Sequence, residues 1–185
     1  MELPPFNFDG LLPPGDYEMT LEELKGSMLV VGPDGEEYAD WDASWRLLLV
    51  ENLEVMVGQL WEVGIVEIFV DGSFVEDKDH PEDIDGYFEC SFEDVATERL
   101  QRKLNDLDPY KVWTWDPASR RPYRNHPKKQ LPMWHRYRVE LYPYYTDLPR
   151  GSGIVDQFGN DLPFPAAFRK SRREFKPKGV IKVKR

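Results

Sequence analysis

The 185-residue chain is long enough for one domain with a substantial core, and its 41% hydrophobic and 31% charged residues are ordinary for a globular protein. No apolar run approaches the roughly 18–20 residues of a membrane span, and the acidic, proline-rich start is unlike a signal peptide. A single cysteine, Cys90, excludes an internal disulfide framework and a cysteine-based zinc site. These features predict a cytoplasmic protein without membrane association.

The net charge of −10 hides a strong asymmetry along the chain. Residues 1–100 hold 26 acidic and 4 basic residues, whereas residues 101–185 hold 8 acidic and 20 basic residues. Such a split is compatible with two halves of one fold that attract each other. It is equally compatible with a basic wall that faces an acidic, metal-binding one.

Residues 1–40 predict an N-terminal arm that lies on the surface and leads into a short helix. Thr20 and Glu23 match the capping box that begins a helix, because the hydroxyl and the carboxylate each satisfy a free backbone N–H. Residues 41–107 form the predicted core of a single domain.

A helix over 41–63 is the clearest element, because apolar residues recur there at a spacing of three and four. Its buried stripe is predicted to comprise Trp45, Leu48, Leu49, Leu53, Met56, Val57, Leu60 and Trp61. The exposed face is predicted to carry Arg46, Glu51, Glu54 and Glu62. Gly64 is placed to end the helix in a left-handed conformation.

Two strands and a helix follow. The β-branched and aromatic residues over 65–70 predict a buried strand, and the alternation over 84–90 predicts a second strand. Ser91 is a good N-cap for a helix over about 92–105.

Residues 108–135 form a predicted basic insertion, since five prolines interrupt every possible helix in this segment. Aromatic rings alternate there with lysine and arginine. Two interpretations stand level: the rings and cations bind a base or a nucleic-acid strand, or the rings anchor the insertion to the domain. The rings in question are Trp113, Trp115, Tyr123 and Trp134.

Residues 136–185 complete the domain with a third strand and a basic tail. Alternation over 136–142 predicts the strand, with Glu140 on the same side as Arg136 and Arg138. A short helix is predicted near 165–173.

The tail over 176–185 alternates apolar residues with lysines, which is typical of a basic edge strand. Together the elements predict an α/β fold of the α+β kind. Its small mixed sheet has helices packed on one side.

Residues of the types that bind metals and phosphates are concentrated between the first two predicted strands. Gly72 and Ser73 follow the first strand, and Asp83-Ile84-Asp85 opens the second one. Because strand side chains alternate, both aspartates lie on the same face, where a hard cation such as Mg²⁺ or Mn²⁺ would relieve their repulsion. Gly72 permits close approach of the backbone, and Ser73 offers a hydroxyl and an N–H to a phosphate. The stretch predicts a site for a metal and a phosphate.

This arrangement resembles the DNA polymerase β-like nucleotidyltransferase superfamily in its minimal form. The matching residues are Val70-Asp71-Gly72-Ser73 and Asp83-Ile84-Asp85, and the similarity covers roughly residues 41–142. The superfamily takes a third carboxylate from a later strand, which implies Glu140, although aspartate is usual at that place. The whole chain also resembles an uncharacterised group of prokaryotic and phage proteins.

The resemblance implies a Mg²⁺- or Mn²⁺-dependent enzyme that transfers a nucleotide from a nucleoside triphosphate to a hydroxyl acceptor. The acceptor would be another nucleotide, a tRNA or RNA end, or a side chain of a partner protein. The implied catalytic and metal-binding residues are Asp83, Asp85 and Glu140. The implied nucleotide-binding residues are Gly72, Ser73 and Lys78. Small size and motif are also similar to nucleotidyltransferases of phage defence and of toxin–antitoxin systems, which implies such a role.

Two other interpretations of the motif stay open. Asp83 and Asp85 are compatible with simple capping of an acidic loop, and the fold is compatible with a catalytically inactive binding or antitoxin module. Outside the motif, Cys90 is predicted to be a buried structural thiol and His80 a solvated loop residue.

Overall fold

The computed structural model describes residues 2–124, 128–148, 150–172 and 174–185. The seven helices are α1 Leu21–Lys25, α2 Met28–Val31, α3 Ala43–Glu62, α4 Phe92–Ala96, α5 Arg99–Leu107, α6 Pro132–Tyr137 and α7 Phe164–Phe168 within these ranges. The strands are β1 Asp16–Thr20, β2 Ile68–Asp71, β3 Ile84–Cys90, β4 Val139–Tyr145, β5 Ile154–Val155, β6 Asp161–Leu162 and β7 Val180–Lys184. Short 3₁₀ turns occur at Glu36–Tyr38, Gly72–Val75 and Pro117–Ser119. None of the helices in the described ranges has the length and apolarity needed to cross a membrane.

Five strands form one mixed sheet in the order β1-β7-β2-β3-β4, and β5 pairs with β6 in a small separate hairpin. The outer pairs β1–β7 and β3–β4 are parallel, whereas β2 is antiparallel to both of its neighbours. This confirms the predicted α/β fold with a small mixed sheet.

The prediction of a basic edge strand near the C-terminus was wrong. β7 lies between β1 and β2, inside the sheet, and β1 itself falls in the segment predicted to be a surface arm. A position inside the sheet is compatible with Lys182 of β7, because acidic neighbours neutralise its charge. Its Nζ lies 2.8 Å from Glu67 and 3.6 Å from Glu18. The pairing joins residues more than 160 positions apart, which no local pattern reveals.

The sheet has two different faces. The core face carries Ile68, Val70, Ile84, Phe88 and Leu141, which are fully buried against most of the helices. The opposite face, called here the acidic face, carries the alternate residues of the same strands. Its apolar part packs against α7, so one short helix lies on the side that the sequence predicted to be free of helices.

Helix α3 confirms the prediction for 41–63, and Gly64 follows it with φ +89°, as expected for a left-handed helix end. The predicted placement of Arg46 on the exposed face was wrong. Arg46 is fully buried, and Leu48 of the predicted stripe is 44% exposed.

Burial of Arg46 is tolerated because backbone carbonyls accept hydrogen bonds from both terminal nitrogens of its guanidinium. It donates to Leu29 O at 2.6 Å and, in the loop after the Gly-Ser turn, to Phe74 O and Lys78 O at 2.8 and 2.7 Å. Its guanidinium also stacks 3.8 Å from the ring centre of Trp41. Arg46 therefore fixes the loop that carries the motif.

Two further element predictions need correction. The helix predicted over 92–105 is two helices, because Glu98 adopts a left-handed φ of 57° between α4 and α5. The strand predicted over 136–142 starts only at Val139, since Arg136 belongs to α6 and Arg138 has φ 56°. The predicted shared side of Arg136, Arg138 and Glu140 is therefore wrong.

The local capping predictions are confirmed. The Thr20 hydroxyl accepts from Glu23 N at 3.1 Å, and the Glu23 carboxylate accepts from Thr20 N at 2.8 Å. Ser91 Oγ accepts from Asp94 N at 3.2 Å at the start of α4. The strand predicted over 65–70 is shorter than expected and begins at Ile68.

The aromatic rings of the basic insertion mostly anchor it to the domain. Trp113 is fully buried and donates from Nε1 to Gln59 Oε1 at 2.6 Å. Trp115 donates to Leu141 O at 2.8 Å, and Trp134 is 2% exposed. Residues 125–127 of the insertion lie outside the described residues.

Candidate active site

Three carboxylates form a row across the acidic face. Asp71 of β2 is the register partner of Asp85 on β3, and Asp85 is in turn the partner of Glu140 on β4. Asp83 lies two residues before Asp85, so it falls on the same side. The sheet thus brings together Asp83, Asp85 and Glu140, which the sequence analysis named as candidates in separate segments. It also places Asp71 beside them.

Gly72 makes this crowding possible. Its φ is +76°, a conformation that a side chain rarely adopts. A Cβ atom at this position would stand 2.9 Å from Asp85 Oδ2 and 3.0 Å from Asp85 Cβ. The sequence predicted that Gly72 allows a ligand to approach the backbone closely, whereas the group that approaches it in the structure is the Asp85 side chain.

Glu140 is fully buried and its two oxygens are engaged. Oε1 accepts from Leu131 N at 3.0 Å and lies 3.5 Å from Arg120 Nη1, while the Tyr142 hydroxyl donates to Oε2. Arg120 Nη2 donates to the Tyr142 oxygen at 3.0 Å, which closes the network. Burial, together with the charge of Glu140, raises the pKa of Tyr142, so the phenol stays protonated as a donor.

Asp83 and Asp85 carry charge that their surroundings neutralise incompletely. Burial raises the pKa of Asp85 well above its usual value, and the charges of Asp83 and Glu140 raise it further. Burial also raises the pKa of Asp83, although Trp134 Nε1 donates to its Oδ2 at 2.6 Å. Lys128 lowers both pKa values through its charge. Within the part of the chain that is described, no group donates a hydrogen bond to the Asp85 carboxylate.

Lys178 completes the row at the end nearest to β7. The lysine is 3% exposed, and its Nζ lies 3.2 Å from Asp71 Oδ1 and 2.6 Å from Glu76 Oε1. It also donates to the carbonyl oxygen of Gly72 at 3.0 Å. Burial raises the pKa of Asp71 to about 7, against the opposing charge of Lys178. Lys178 therefore fastens the Gly-Ser turn to the C-terminal part of the chain.

The row opens into a cleft with a volume of about 1030 Å³. Acidic side chains line the cleft together with basic ones that come mostly from the second half of the chain: Lys78, Arg120, Lys128, Lys170, Arg172, Lys176 and Lys178. Lys176 pairs with Asp9, and Lys178 pairs with Asp71 and Glu76. The two halves of the chain therefore attract each other here, as one of the two interpretations of the charge asymmetry expected.

Residues 4–184, nearly the whole chain, match the model of a family of unknown function, DUF6932. The chain belongs to the DUF6932 family. No curated protein and no solved structure matches it.

The donor atoms of this DUF6932 member fit a divalent cation only in part. Among the described residues, no group of three or more histidine, cysteine, aspartate or glutamate side chains is arranged to hold a metal ion. Asp83 and Asp85 do fit one, since they are hard oxygen donors whose pKa values are raised by burial and by neighbouring carboxylates, and a cation would stabilise their charged forms. Glu140 fits less well, because Leu131, Arg120 and Tyr142 already occupy its oxygens.

The residues predicted to bind phosphates share the same cleft. Gly72, Ser73 and Lys78 all line it, together with Asp83 and Asp85. Their roles toward a nucleotide stay predictions.

The sequence did not point to several other residues of the DUF6932 site. Tyr142 had a detectable signal, because it lies two positions after Glu140 on the same strand. Arg120 and Lys178 had none, since each comes from an irregular segment distant in sequence from the motif.

Three residues that lie outside the large cleft have ordinary structural environments. Cys90 is buried, and burial raises the pKa of its thiol to about 12, which confirms the prediction of a structural cysteine. Asp116 is exposed, and its carboxylate accepts a hydrogen bond from Ala118 N at 2.9 Å. His80 has a side chain that is 57% exposed, as predicted for a loop, and it bonds to Asp42 at 2.9 Å.

Proposed function

We propose that this protein is a divalent-metal-dependent nucleotidyltransferase that moves a nucleotide from a nucleoside triphosphate to a hydroxyl acceptor. The observation that supports the proposal most is the row of Asp71, Asp85 and Glu140 beside the Gly72-Ser73 turn, next to a cleft that basic side chains also line. Phosphoryl transfer needs mainly positioning and charge neutralisation, and both kinds of group are close together here.

In this proposal Asp83 and Asp85 hold Mg²⁺ or Mn²⁺. The bound metal would neutralise phosphate charge and lower the pKa of the attacking hydroxyl. Ser73 donates its hydroxyl and backbone N–H to phosphate oxygens, and Lys78 adds positive charge on the same side of the cleft. The reaction class and its triphosphate donor suit a cytoplasmic protein of the phage-defence or toxin–antitoxin type.

Glu140 is the proposed third carboxylate. Arg120 and Tyr142 hold it in place beside Asp85, so its position is fixed before any substrate binds. Preorganised charge of this kind is effective because it costs no reorganisation during the reaction.

A second candidate function is a catalytically inactive binding or antitoxin module with the same fold. The saturated hydrogen bonding of Glu140 favours it, because a carboxylate bound to Arg120, Tyr142 and Leu131 N has less capacity to bind metal. Such a module would bind nucleotide or a partner protein in the cleft without transferring a nucleotidyl group.

Incubation with radiolabelled nucleoside triphosphates, Mg²⁺ and a panel of RNA, nucleotide and protein acceptors tests the proposal. We expect label transfer that falls about a thousandfold or more in Asp83→Ala/Asp85→Ala. The matched control is Asp34→Ala/Asp106→Ala, which removes two exposed aspartates outside the cleft and should keep the wild-type rate. Transfer at the wild-type rate by the first variant would refute catalysis at this site. Nucleotide binding without transfer by the wild type would favour the binding module.

Glu140→Gln tests the third carboxylate separately. We expect the transfer rate to fall about a hundredfold or more, since the substitution removes charge where the geometry is otherwise kept. Glu89→Gln, on the same face of β3 but away from the cleft, is the control and should change the rate little. A Glu140→Gln enzyme with near-wild-type turnover would remove Glu140 from the catalytic residues.

A further inference from the structure

A second cavity, of about 290 Å³, lies beside the acidic cluster. Trp134 connects the two sites, because its ring lines this cavity while its Nε1 donates to Asp83 Oδ2 at 2.6 Å. Glu82 lines both the cavity and the large cleft. A group bound in the cavity would therefore contact Trp134, which in turn bonds to Asp83.

Fixed aromatic rings form the walls of the cavity. Trp45 and His80 stack with ring centres 4.9 Å apart and planes 13° from parallel. Trp45 Nε1 donates to Pro81 O at 2.6 Å, and His80 is bonded to Asp42, so the stack is held from both sides. The rings of Tyr123 and Trp134 are also in contact, with their centres 5.1 Å apart. These rings are oriented before any ligand arrives.

Two arginines add positive charge to the same cavity. The Arg138 guanidinium lies 3.8 Å from the ring centre of Trp134 and 4.1 Å from that of Tyr123. Arg124 is exposed at the rim, 5.1 Å from the Tyr123 ring centre. Rings and guanidinium groups in alternation are the elements that hold an unpaired base and its phosphate.

Both arginines also carry backbone strain. Arg138 has φ 56° where it ends α6, and Arg124 has φ 50°, both in the left-handed region that is unfavourable for a residue with a side chain. Strained residues cluster at ligand clamps, where the surroundings hold them in place. Two of the five non-glycine residues with positive φ in the described ranges line this one small cavity.

We propose that this cavity binds one nucleobase together with its adjacent phosphate. The base would stack on the aromatic walls, the phosphate would pair with Arg138 and Arg124, and Glu82 would accept from an amino group of the base. The volume of about 290 Å³ is just below the roughly 300–1,000 Å³ typical of ligand sites, which suits a single nucleoside. The cavity shares Glu82 with the large cleft and is linked to Asp83 through Trp134, so we assign the bound nucleotide as the acceptor, which rests on the proposed function.

A nucleobase with its adjacent phosphate occurs both in a free nucleotide and at the unpaired end of an RNA strand. Binding is therefore measured with two probes, adenosine monophosphate and a fluorescein-labelled oligoadenylate of ten ribonucleotides. Both titrations are made without metal and without nucleoside triphosphate. The result then does not depend on whether the protein transfers nucleotides.

The decisive variants are Arg138→Gly and Tyr123→Ala. Glycine suits the left-handed backbone of residue 138, so the thermal midpoint of Arg138→Gly should be kept while binding is lost. The matched control is Arg136→Ala, which removes an equal charge two residues away, where Arg136 stacks on Tyr110 at 3.9 Å outside the cavity.

We expect at least one probe to bind the wild type, and each decisive variant to weaken that binding by about tenfold or more. Arg136→Ala should change it less than threefold. Oligonucleotide binding at least tenfold tighter than binding of the monophosphate identifies a strand end, and equal affinities identify a free nucleotide. The proposal is overturned if neither probe binds at millimolar concentration, or if Arg136→Ala weakens binding as much as Arg138→Gly.

Discussion

The two faces of the central sheet are made by the same strands, yet they follow opposite rules. On β3, Ile84 and Phe88 point to the core face and are completely buried among apolar side chains. Asp85, between them in sequence, points to the acidic face, where Asp71 and Glu140 stand on either side. Strand alternation allows one segment to supply the core on one side and the candidate site on the other.

The core face and the acidic face have opposite effects on the stability of the fold. Apolar burial on the core face stabilises the fold roughly in proportion to the area removed from water. On the acidic face, burial raises the pKa values of Asp83 and Asp85, which means that their charged forms oppose folding at neutral pH. The site is thus maintained at a cost in stability that the core face offsets.

The largest expected effect is on the core face. Phe88→Ala removes a fully buried ring and should lower the free energy of unfolding by about 3–5 kcal/mol, through lost burial and a residual cavity. Urea denaturation followed by circular dichroism measures it. Asp85→Asn, three residues earlier on the acidic face, is the comparison and should not destabilise the protein. Equal destabilisation by the two variants would contradict the division of roles between the faces.

The next effect concerns the ion pairs of the acidic face. Lys178→Met leaves Asp71 and Glu76 without their buried partner and should cost about 3 kcal/mol of unfolding free energy at pH 8. The loss should be smaller at pH 5, because Asp71, with a pKa raised to about 7, then takes up a proton. Lys170→Met in the same cleft is the control. A loss from Lys178→Met that is the same at both pH values would argue against a charged Asp71.

The smallest expected effect is the change of folding stability with pH. Because its folded-state pKa is raised above the ordinary 3.8, Asp85 binds its proton more tightly in the folded protein than in the unfolded chain. Stability should therefore fall as the pH rises from about 3.8 toward the raised pKa, and this contribution stays lost above it.

Asp85→Asn removes this titration, so the variant should be the more stable protein at pH 8 and its melting temperature should vary less with pH. Differential scanning calorimetry from pH 5 to pH 8 measures the change, with the exposed Asp34→Asn as control. An Asp85→Asn protein that melts below the wild type at pH 8 would show that the charged carboxylate stabilises the fold.

Local patterns were enough to predict the elements that carry the motif. The spacing of apolar residues predicted α3, and alternation predicted β3, because both signals arise within one segment. The same alternation placed Asp83 and Asp85 on one face. Glu140 was assigned to the correct strand, where it is the register partner of Asp85, although its neighbours Arg136 and Arg138 were misplaced.

What could not be predicted depends on pairings between distant segments. The inner position of β7 and the burial of Arg46 depend on carbonyls and carboxylates far away in sequence. The left-handed residues Glu98 and Arg138 ended elements where composition favoured continuation. Lys178 and Arg120 were missed for the same reason, because their partners are defined only in the folded sheet.

The inner position of β7 also has a consequence for the order of folding. β1 has no sheet neighbour other than β7 in the described structure, and β2 needs β7 along one of its edges. During synthesis, α3, β2 and β3 emerge from the ribosome long before residues 178–184. The complete sheet and the Lys178 contacts therefore form only after residues 178–184 have left the ribosome, so the candidate site should be completed late in folding.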